Sequence, residues 1–316
     1  MVSRRAAITS VASLLSRQTV FAKASQPVTA INFDVPSHAC DCHTHIFGDP
    51  RRFPLSSNRR YTPEAALPAE MTALHRKLHL ERVVIVTPSV YGTDNSASLY
   101  GMKVRGAAAR GVAVIDEKTG TRELAAMARA GMRGIRLNLA TAGISDPGAA
   151  RQQFQAAEVR VKPLGWHIQI FTSLEVISSL KDLVLNSTVP VVFDHFGGAE
   201  AAHGIGQPGF ADLLDLVRSG RAYVKISAAY RASIQGPNYA DAARLAAALI
   251  AANPDRVLWG TDWPHPNSAG GGPIAEVTPL LPIDDGRLLN ELALWAPDRA
   301  ALKKILVENP ARLYEF

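Results

Sequence analysis

The stretch Ala39-Cys40-Asp41-Cys42-His43-Thr44-His45 opens the first regular part of the chain and holds two histidines one residue apart. In a β-strand, residues i and i+2 point to the same face, so both imidazoles converge on one point while Thr44 faces the opposite side. Convergent imidazoles are typical of a metal site or of a site that handles protons. An isolated His-x-His pair is also compatible with two hydrogen-bonded or partly exposed histidines that have no such function. The rest of the sequence is needed to distinguish these two interpretations.

Short apolar runs alternate with amphipathic stretches over residues 37–316. Most of the apolar runs lack alternation of polar and apolar residues, which is typical of parallel strands covered on both faces. The predicted strands are 39–45, 82–89, 112–116, 134–139, 166–171, 189–195, 222–227 and 256–261. The predicted helices are 63–79, 121–129, 149–164, 174–185, 210–219, 239–252 and 298–308.

Eight strands alternating with helical segments predict an α/β fold, a single-domain (β/α)8 TIM barrel. An open doubly wound sheet is the alternative, but no Gly-x-Gly-x-x-Gly loop follows the first strand. Reactive residues of a barrel lie at the carboxyl ends of its strands. The polar residues near or just after these ends are His43, His45, Ser89, Tyr91, Arg136, Asn138, His167, Gln169, Asp194, His195, Tyr230, Arg231, Asp262 and His265. This distribution favours an active site, because randomly placed residues would fall as often at strand starts.

The charge of the chain is concentrated at its N-terminus. The 316 residues carry a formal net charge of +6. Residues 1–24 contain Arg4, Arg5, Arg17 and Lys23 and no acidic residue, so removing their +4 leaves +2 on the remainder. No dense basic run follows, and we therefore expect no nucleic-acid partner.

The leader, residues 1–24, resembles a twin-arginine export signal. The pair Arg4-Arg5 precedes a short, mildly apolar stretch, and the segment 22–24 fits the small-x-small pattern of a cleavage site. We predict a periplasmic location, with a basic N-terminal extension on a cytoplasmic protein as the alternative. Residues 25–36 are predicted to be a linker and residues 37–316 the barrel domain. No apolar stretch reaches the roughly 18 residues that span a membrane, and Cys40 and Cys42 are too constrained for an ordinary disulfide.

Five further segments carry a family resemblance. They read PSVYGTDN at 88–95, GIRLN at 134–138, GWHIQ at 165–169, FDHFG at 193–197 and WGTDWPHP at 259–266. The chain from about residue 37 onward resembles the amidohydrolase superfamily, and more narrowly the branch of 2-pyrone-4,6-dicarboxylate lactonase and sugar-acid lactone enzymes. The resemblance implies a TIM barrel whose mouth is lined by a His-x-His on strand one, a His on strand six and an Asp on strand eight.

The resemblance also bears on metals. Binuclear members use a Lys or Glu on strand four and a His on strand five, whereas this chain has Arg136 and Asn138 on strand four and Gln169 on strand five. A binuclear site is therefore not expected. A single Zn²⁺ held by His43, His45, His195 and Asp262 stays open as an alternative. The lactonase branch is largely metal-independent, so we expect no required cofactor.

The resemblance implies a hydrolase that opens a small carboxylated lactone. We assign Asp262 as the base that activates water and later protonates the leaving alkoxide. His43, His45 and His195 orient the water and bind the lactone carbonyl, and a protonated imidazole stabilises the oxyanion. Alternatives are a sugar-acid lactone isomerase, a mononuclear zinc-dependent hydrolase or decarboxylase, and an exported sugar-acid binding protein without turnover.

The substrate is predicted to be a small anionic lactone. Arg136 and Arg231 are placed to bind its carboxylate through two hydrogen bonds, although a structural ion pair is an equal alternative for Arg231. Residues 139–143 are small and uncharged where the pyrone dicarboxylate enzymes carry a basic pair, which favours a sugar-acid or other monoanionic lactone, such as a muconolactone type, over a pyrone dicarboxylate. Further predicted contacts are Tyr61, Ser89, Tyr91, Asn95, Asn138, Gln169 and His265. The oligomeric state is not predicted.

Overall fold

The computed structural model describes residues 24–268 and 273–316. Its central feature is a sheet of eight parallel strands in which each strand pairs with the next along the chain. The strands are β1 Cys40–Thr44, β2 Arg82–Val86, β3 Ala109–Ala113, β4 Met132–Leu137, β5 His167–Ile170, β6 Val191–Phe193, β7 Ala222–Ser227 and β8 Val257–Gly260. A parallel bridge between Thr44 and Trp263 joins the first strand to the segment after the last. The predicted TIM barrel is confirmed, and the predicted leader lies almost entirely outside the described residues.

Helices surround this barrel. They are α1 Pro68–Lys77, α2 Ser96–Arg105, α3 Thr121–Arg129, α4 Leu139–Ala142, α5 Pro147–Val161, α6 Leu174–Asn186, α7 Phe210–Arg218, α8 Ala229–Ala232, α9 Ala243–Ala252, α10 Asp285–Trp295, α11 Arg299–Lys303 and α12 Asn309–Tyr314. Some of them start with a side-chain cap: Ser173 accepts a hydrogen bond from the Val176 amide at the start of α6, and Asp146 accepts one from the Ala149 amide at the start of α5. No helix in the described ranges is long and apolar enough to cross a membrane.

Several elements depart from the sequence prediction, among them the short helices α4, α8 and α12, which were not predicted. Strand β3 begins at Ala109, not at residue 112, because its first residues pair with β2 despite weak strand propensity. Helices α2 and α10 were not predicted, and each contains a glycine that lowers helix propensity. In α2, a Cβ on Gly101 would lie 2.7 Å from Ile46. The close packing of α2 against Ile46 requires a glycine at this position, and the same glycine lowers the helix propensity by which α2 could have been predicted.

The interior of the barrel is divided into an apolar end and a polar end. Cys40 and Cys42, both free and buried, pack with valines of neighbouring strands and with Tyr314 from the C-terminal helix. This apolar plug fills the end where the strands begin. The polar residues therefore gather at the opposite end, where the strands finish.

Residues 25–36, predicted as a linker, lie against the barrel. The Ser25 carbonyl accepts a hydrogen bond from Trp263 Nε1 (3.2 Å), and Gln26 Nε2 donates to the Glu70 carbonyl (3.1 Å). The Thr29 amide donates to Asp284 (3.1 Å). This segment is therefore part of the folded domain rather than a free connection.

Candidate active site

The two histidines of the opening motif meet at the mouth of the barrel. His43 Nε2 lies 3.5 Å and His45 Nε2 lies 3.3 Å from Oδ1 of Asp262. A register shift between Asp41 and Thr44 interrupts the pairing of β1 with β2, and irregularities of this kind re-aim side chains next to active sites. Asp41 instead binds His75 of α1 at 3.1 Å, so only the end of the strand contributes to the site.

Asp262 is held with different partners on its two oxygens. Oδ2 accepts hydrogen bonds from the Tyr230 hydroxyl (2.6 Å) and from Arg231 Nε (2.9 Å). Oδ1 is buried, faces the histidines, and has no hydrogen-bond partner among the described residues. Burial would raise the pKa of Asp262, but the charge of Arg231 is the main influence that holds it well below its usual range. The carboxylate is therefore ionised, with one oxygen free to accept a proton.

Backbone conformation places Asp262 and His195 at the mouth. Both adopt positive φ angles, 62° and 49°, which non-glycine residues seldom do and which cluster at functional sites. The Asp262 amide also donates to the His43 carbonyl at 2.8 Å. The chain is thus turned sharply just after β6 and β8, so that both side chains point into the barrel mouth.

His195 completes the group. Its Nδ1 contacts Ser227 Oγ at 2.9 Å, and its Nε2 lies 3.9 Å from Asp262 Oδ1. Burial lowers the pKa of His195 to about 4 and lowers the pKa of His43 well below its usual range. Both imidazoles are neutral near pH 7. Neither of these two is therefore suited to be the protonated imidazole that was predicted to stabilise the oxyanion.

The two predicted substrate arginines differ in their free donors. Arg231 donates through Nε to Asp262, through Nη1 to Ser268 Oγ (3.2 Å) and through Nη2 to the Pro266 carbonyl (3.0 Å). Its fork is occupied, which favours the structural ion pair, the equal alternative stated for Arg231, over a two-bond grip on substrate. Arg136 donates through Nε to Asp194 (2.9 Å). Within the described ranges its terminal nitrogens have no hydrogen bond, so Arg136 is the better anion-binding group.

A small cavity of about 20 Å³ lies beside Asp262, enough for roughly one water molecule. Its walls combine four predicted substrate-binding residues with three of the four catalytic candidates. They are Tyr61, Ser89, Arg136, Arg231, His45, His195 and Asp262, together with Pro88, Thr141, Phe171, Pro266 and Ser268. Asn138 lines an adjoining cavity of about 210 Å³ that shares Ser89 and Thr141 with the first. The predicted residues thus line two neighbouring cavities at the mouth of the barrel.

Four other predicted substrate contacts do not line either cavity. The Tyr91 hydroxyl accepts from the Gly48 amide (2.9 Å), and Asn95 binds the backbone of Val114 through its amide group. His265 binds Asp285 at 3.0 Å. Gln169 lies deeper in the barrel and donates to Asp194 (3.0 Å). Their hydrogen-bonding groups are already engaged with the protein, which gives all four a structural setting.

A model of the amidohydrolase family matches residues 40–316. The chain belongs to the amidohydrolase family. The relatives of this amidohydrolase place it in the lactone-hydrolase branch. It is 33% identical over 303 residues to 2-pyrone-4,6-dicarboxylate hydrolase of Comamonas testosteroni, covering 93% of this chain and 94% of the relative.

Two more relatives belong to the same group. A 4-sulfomuconolactone hydrolase of Rhizobium radiobacter is 35% identical, with 90% of this chain and 92% of the relative covered. A D-galactarolactone isomerase of Agrobacterium fabrum is 30% identical, with 91% and 94% covered. Each match spans nearly the whole of both chains, so the likeness is that of complete barrels.

The distances in this amidohydrolase suit a metal ion at one point. Ligand atoms of His43, His195 and Asp262 all lie within 4.8 Å of one another. His45 Nδ1 contacts the Val86 carbonyl at 2.8 Å, and a carbonyl accepts only, so Nδ1 carries the proton. In neutral His45 the Nε2 lone pair then faces the same point. These residues could hold a metal ion.

Sequence reasoning assigned no role to two residues of this amidohydrolase, Lys225 and Asp194, and only Asp194 was noted as lying at a strand end. Lys225 is buried on β7, where its Nζ lies 2.6 Å from Gln169 Oε1 and 3.2 Å from His43 Nδ1. Asp194 lies 3.2 Å from the same nitrogen of His43 and binds Arg136. The available signal was a single lysine in the otherwise uncharged strand Ala222–Ser227, since a lysine is seldom buried unless it is paired.

Proposed function

We propose that this amidohydrolase opens a small lactone bearing an anionic group, with water activated by Asp262. The observation that carries the proposal is the position of Asp262 Oδ1. It is buried, ionised and free of hydrogen bonds, and it faces three imidazoles on the wall of a cavity that also contains Arg136. A carboxylate set among hydrogen-bonding groups of this kind suits proton transfer to and from water.

The reaction proceeds in two stages. Asp262 Oδ1 accepts one proton of the water while its oxygen adds to the lactone carbonyl carbon. Because His45 Nε2 lies 3.3 Å from Oδ1, neutral His45 is placed to accept a hydrogen bond from the second water proton. The ring C–O bond then breaks, and the leaving alkoxide takes the proton from Asp262. The product is a hydroxy acid.

The low pKa of Asp262 has a definite consequence. It keeps the carboxylate ready to accept a proton across the physiological range, but it also makes the carboxylate a weaker base. The proposal therefore requires an activated ester, such as a lactone, and donors at the developing oxyanion. Arg136 and a neutral N–H group of His43 or His195 supply such donors without a protonated histidine.

We propose that no metal is required. The negative charge of Asp262 is already compensated by Arg231 at 2.9 Å and by the Tyr230 hydroxyl at 2.6 Å. If a single Zn²⁺ is bound, His43, His45, His195 and Asp262 are the residues that would hold it, and the ion would polarise the carbonyl and acidify the water.

The proposed partner is a small anionic lactone, without nucleic acid. Two relatives are named as hydrolases of 2-pyrone-4,6-dicarboxylate and 4-sulfomuconolactone, which supports an anionic substrate. The galactarolactone isomerase favours a second candidate, in which a substrate hydroxyl replaces water. The test is a panel of sugar-acid, muconolactone-type and pyrone lactones followed by pH change and NMR. Ring opening supports hydrolysis, a second lactone supports isomerisation, and binding without turnover of any lactone contradicts the proposal.

We further propose that residues 1–24 direct export to the periplasm. The support is the Arg4-Arg5 pair followed by a short apolar stretch and the segment 22–24. These features are separate from the chemistry of the barrel.

A further inference from the structure

Lys225 occupies an unusual position for a lysine. It is fully buried on β7 and contacts Nδ1 of His43, the ring nitrogen opposite the one that faces Asp262. Three acceptor atoms surround its Nζ: Gln169 Oε1 at 2.6 Å, His43 Nδ1 at 3.2 Å and Asp194 Oδ1 at 3.5 Å. An ammonium group has three N–H donors and no acceptor. The number of acceptors matches a protonated lysine.

This contact constrains the proton on His43. Because an ammonium can only donate, the nitrogen that it contacts must offer a lone pair, and in a neutral imidazole the other nitrogen then carries the hydrogen. His43 Nε2 is the nitrogen that faces Asp262 Oδ1, at 3.5 Å. The contact with Lys225 therefore turns a proton, not a lone pair, toward the active site.

We propose that Lys225 is a positioning residue that fixes His43 as the Nε2–H tautomer. His43 then donates toward Asp262 and toward the substrate, and it is a poor metal ligand, because a metal needs the Nε2 lone pair. The catalytic part of this inference rests on the proposed function, whereas the tautomer and the weak metal affinity do not. The two histidines of the motif thereby have opposite roles, since His45 turns its lone pair to the same point.

Asp194 is the residue that can accept a hydrogen bond from His43 Nδ1 if Lys225 is replaced. Its Oδ1 lies 3.2 Å from His43 Nδ1, so an Nδ1–H group could donate to it once Nζ is gone. A carboxylate behind the ring favours that tautomer and exposes the Nε2 lone pair, which is the usual arrangement of a metal-binding histidine. With lysine at position 225, His43 presents an N–H donor to the active site. With a neutral residue there, His43 presents a lone pair that can bind a metal ion.

The first test uses the unaltered protein. Side-chain ¹⁵N NMR distinguishes the two neutral tautomers, and the His43 signals are assigned by their loss in His43→Gln. We expect a protonated Nε2 and an unprotonated Nδ1. The reverse pattern overturns the proposal, and this measurement stands even if a variant at position 225 does not fold.

The second test compares Lys225→Met with Lys181→Met, a partly exposed lysine that pairs with Asp212 and Asp215. For Lys225→Met we expect at least about tenfold tighter zinc binding by calorimetry and about 10–100-fold lower kcat with little change in KM. The control should match the unaltered protein. Unchanged zinc affinity in a folded Lys225→Met protein overturns the proposal. If no lactone is turned over, the proposed function fails, while the tautomer and zinc results still decide this inference.

Discussion

The Oδ1 atom of Asp262 lies 3.3 Å from Nε2 of His45, and both atoms are acceptors when the imidazole is neutral. Two adjacent acceptors without a donor between them are unfavourable in a buried site. A water molecule that gives one proton to each atom would relieve this conflict. The pair is therefore the position that we propose for the nucleophilic water, while Oδ2 of the same carboxylate accepts hydrogen bonds from Arg231 and Tyr230.

Asp262→Asn should abolish most turnover but preserve the binding of ligand. The amide keeps the shape of the side chain and removes its ability to accept the water proton, so we expect kcat to fall by about 10²–10⁴-fold. Steady-state kinetics and calorimetry with the hydroxy-acid product measure the two quantities. Asp182→Asn, at an exposed ion pair, is the matched control. Retained activity in Asp262→Asn would refute the assignment of the base.

Arg136→Ala should lower catalytic efficiency, whereas Arg231→Ala should lower the stability of the fold. Loss of a charged hydrogen bond to substrate costs about 1.5–3 kcal/mol, so Arg136→Ala should lower kcat/KM by about 10–150-fold. Arg231→Ala leaves the buried Asp262 charge without its main partner and should destabilise the protein by about 3–5 kcal/mol. Kinetics and urea denaturation separate these effects, with Arg218→Ala as a surface control. Unchanged kcat/KM in Arg136→Ala would assign Arg136 a structural role only.

Stability should fall as the pH is lowered from about 6.5 toward 4. Burial lowers the pKa of His195 to about 4, so in this interval the unfolded chain binds a proton that the folded protein does not. The contribution of His195 is of order 3 kcal/mol above its ordinary pKa and is lost below the folded value. Urea denaturation between roughly pH 7.5 and 4.5 measures the slope. His195→Gln should reduce that slope, and an identical slope would contradict the shifted pKa.

Activity should survive removal of metal. Protein purified without added metal should contain far less than one zinc per chain and should keep its lactonase activity after treatment with a chelator. Elemental analysis and a chelator titration provide the measurement, and a zinc-dependent hydrolase of known sensitivity serves as the control. Stoichiometric zinc together with chelator-sensitive turnover would instead support the mononuclear zinc alternative.

The mature protein should begin at Ser25. Cleavage after the segment 22–24 would remove the leader and leave Ser25 near Trp263, whose indole donates to the Ser25 carbonyl. Mass spectrometry of protein recovered from native cells reads the N-terminus directly. Replacing Arg4 and Arg5 by lysine should prevent export if the twin-arginine pathway is used. An intact segment 1–24 in the native protein would argue against a cleaved signal.

Much of the fold was predictable because strand and helix signals are local. The alternation of apolar runs with amphipathic stretches placed all eight strands, and β7 was predicted at its observed bounds. Helix α2 was not predicted, because Gly101 lowers its local propensity and the reason for that glycine is a contact with Ile46 on another element. A contact between distant parts of the chain leaves no periodic signal.

The sequence by itself determined the barrel, the family and the convergence of His43, His45, His195 and Asp262, since strand ends meet at one edge whatever the details of packing. Only the tertiary structure decided what each side chain does there. Arg231 binds Asp262, and Lys225 contacts His43 from within the barrel. The protonation state, the tautomer and the free hydrogen-bond donors of a side chain depend on its burial and on its partners within about 4 Å. Many of these partners come from distant strands, so no linear pattern specifies them.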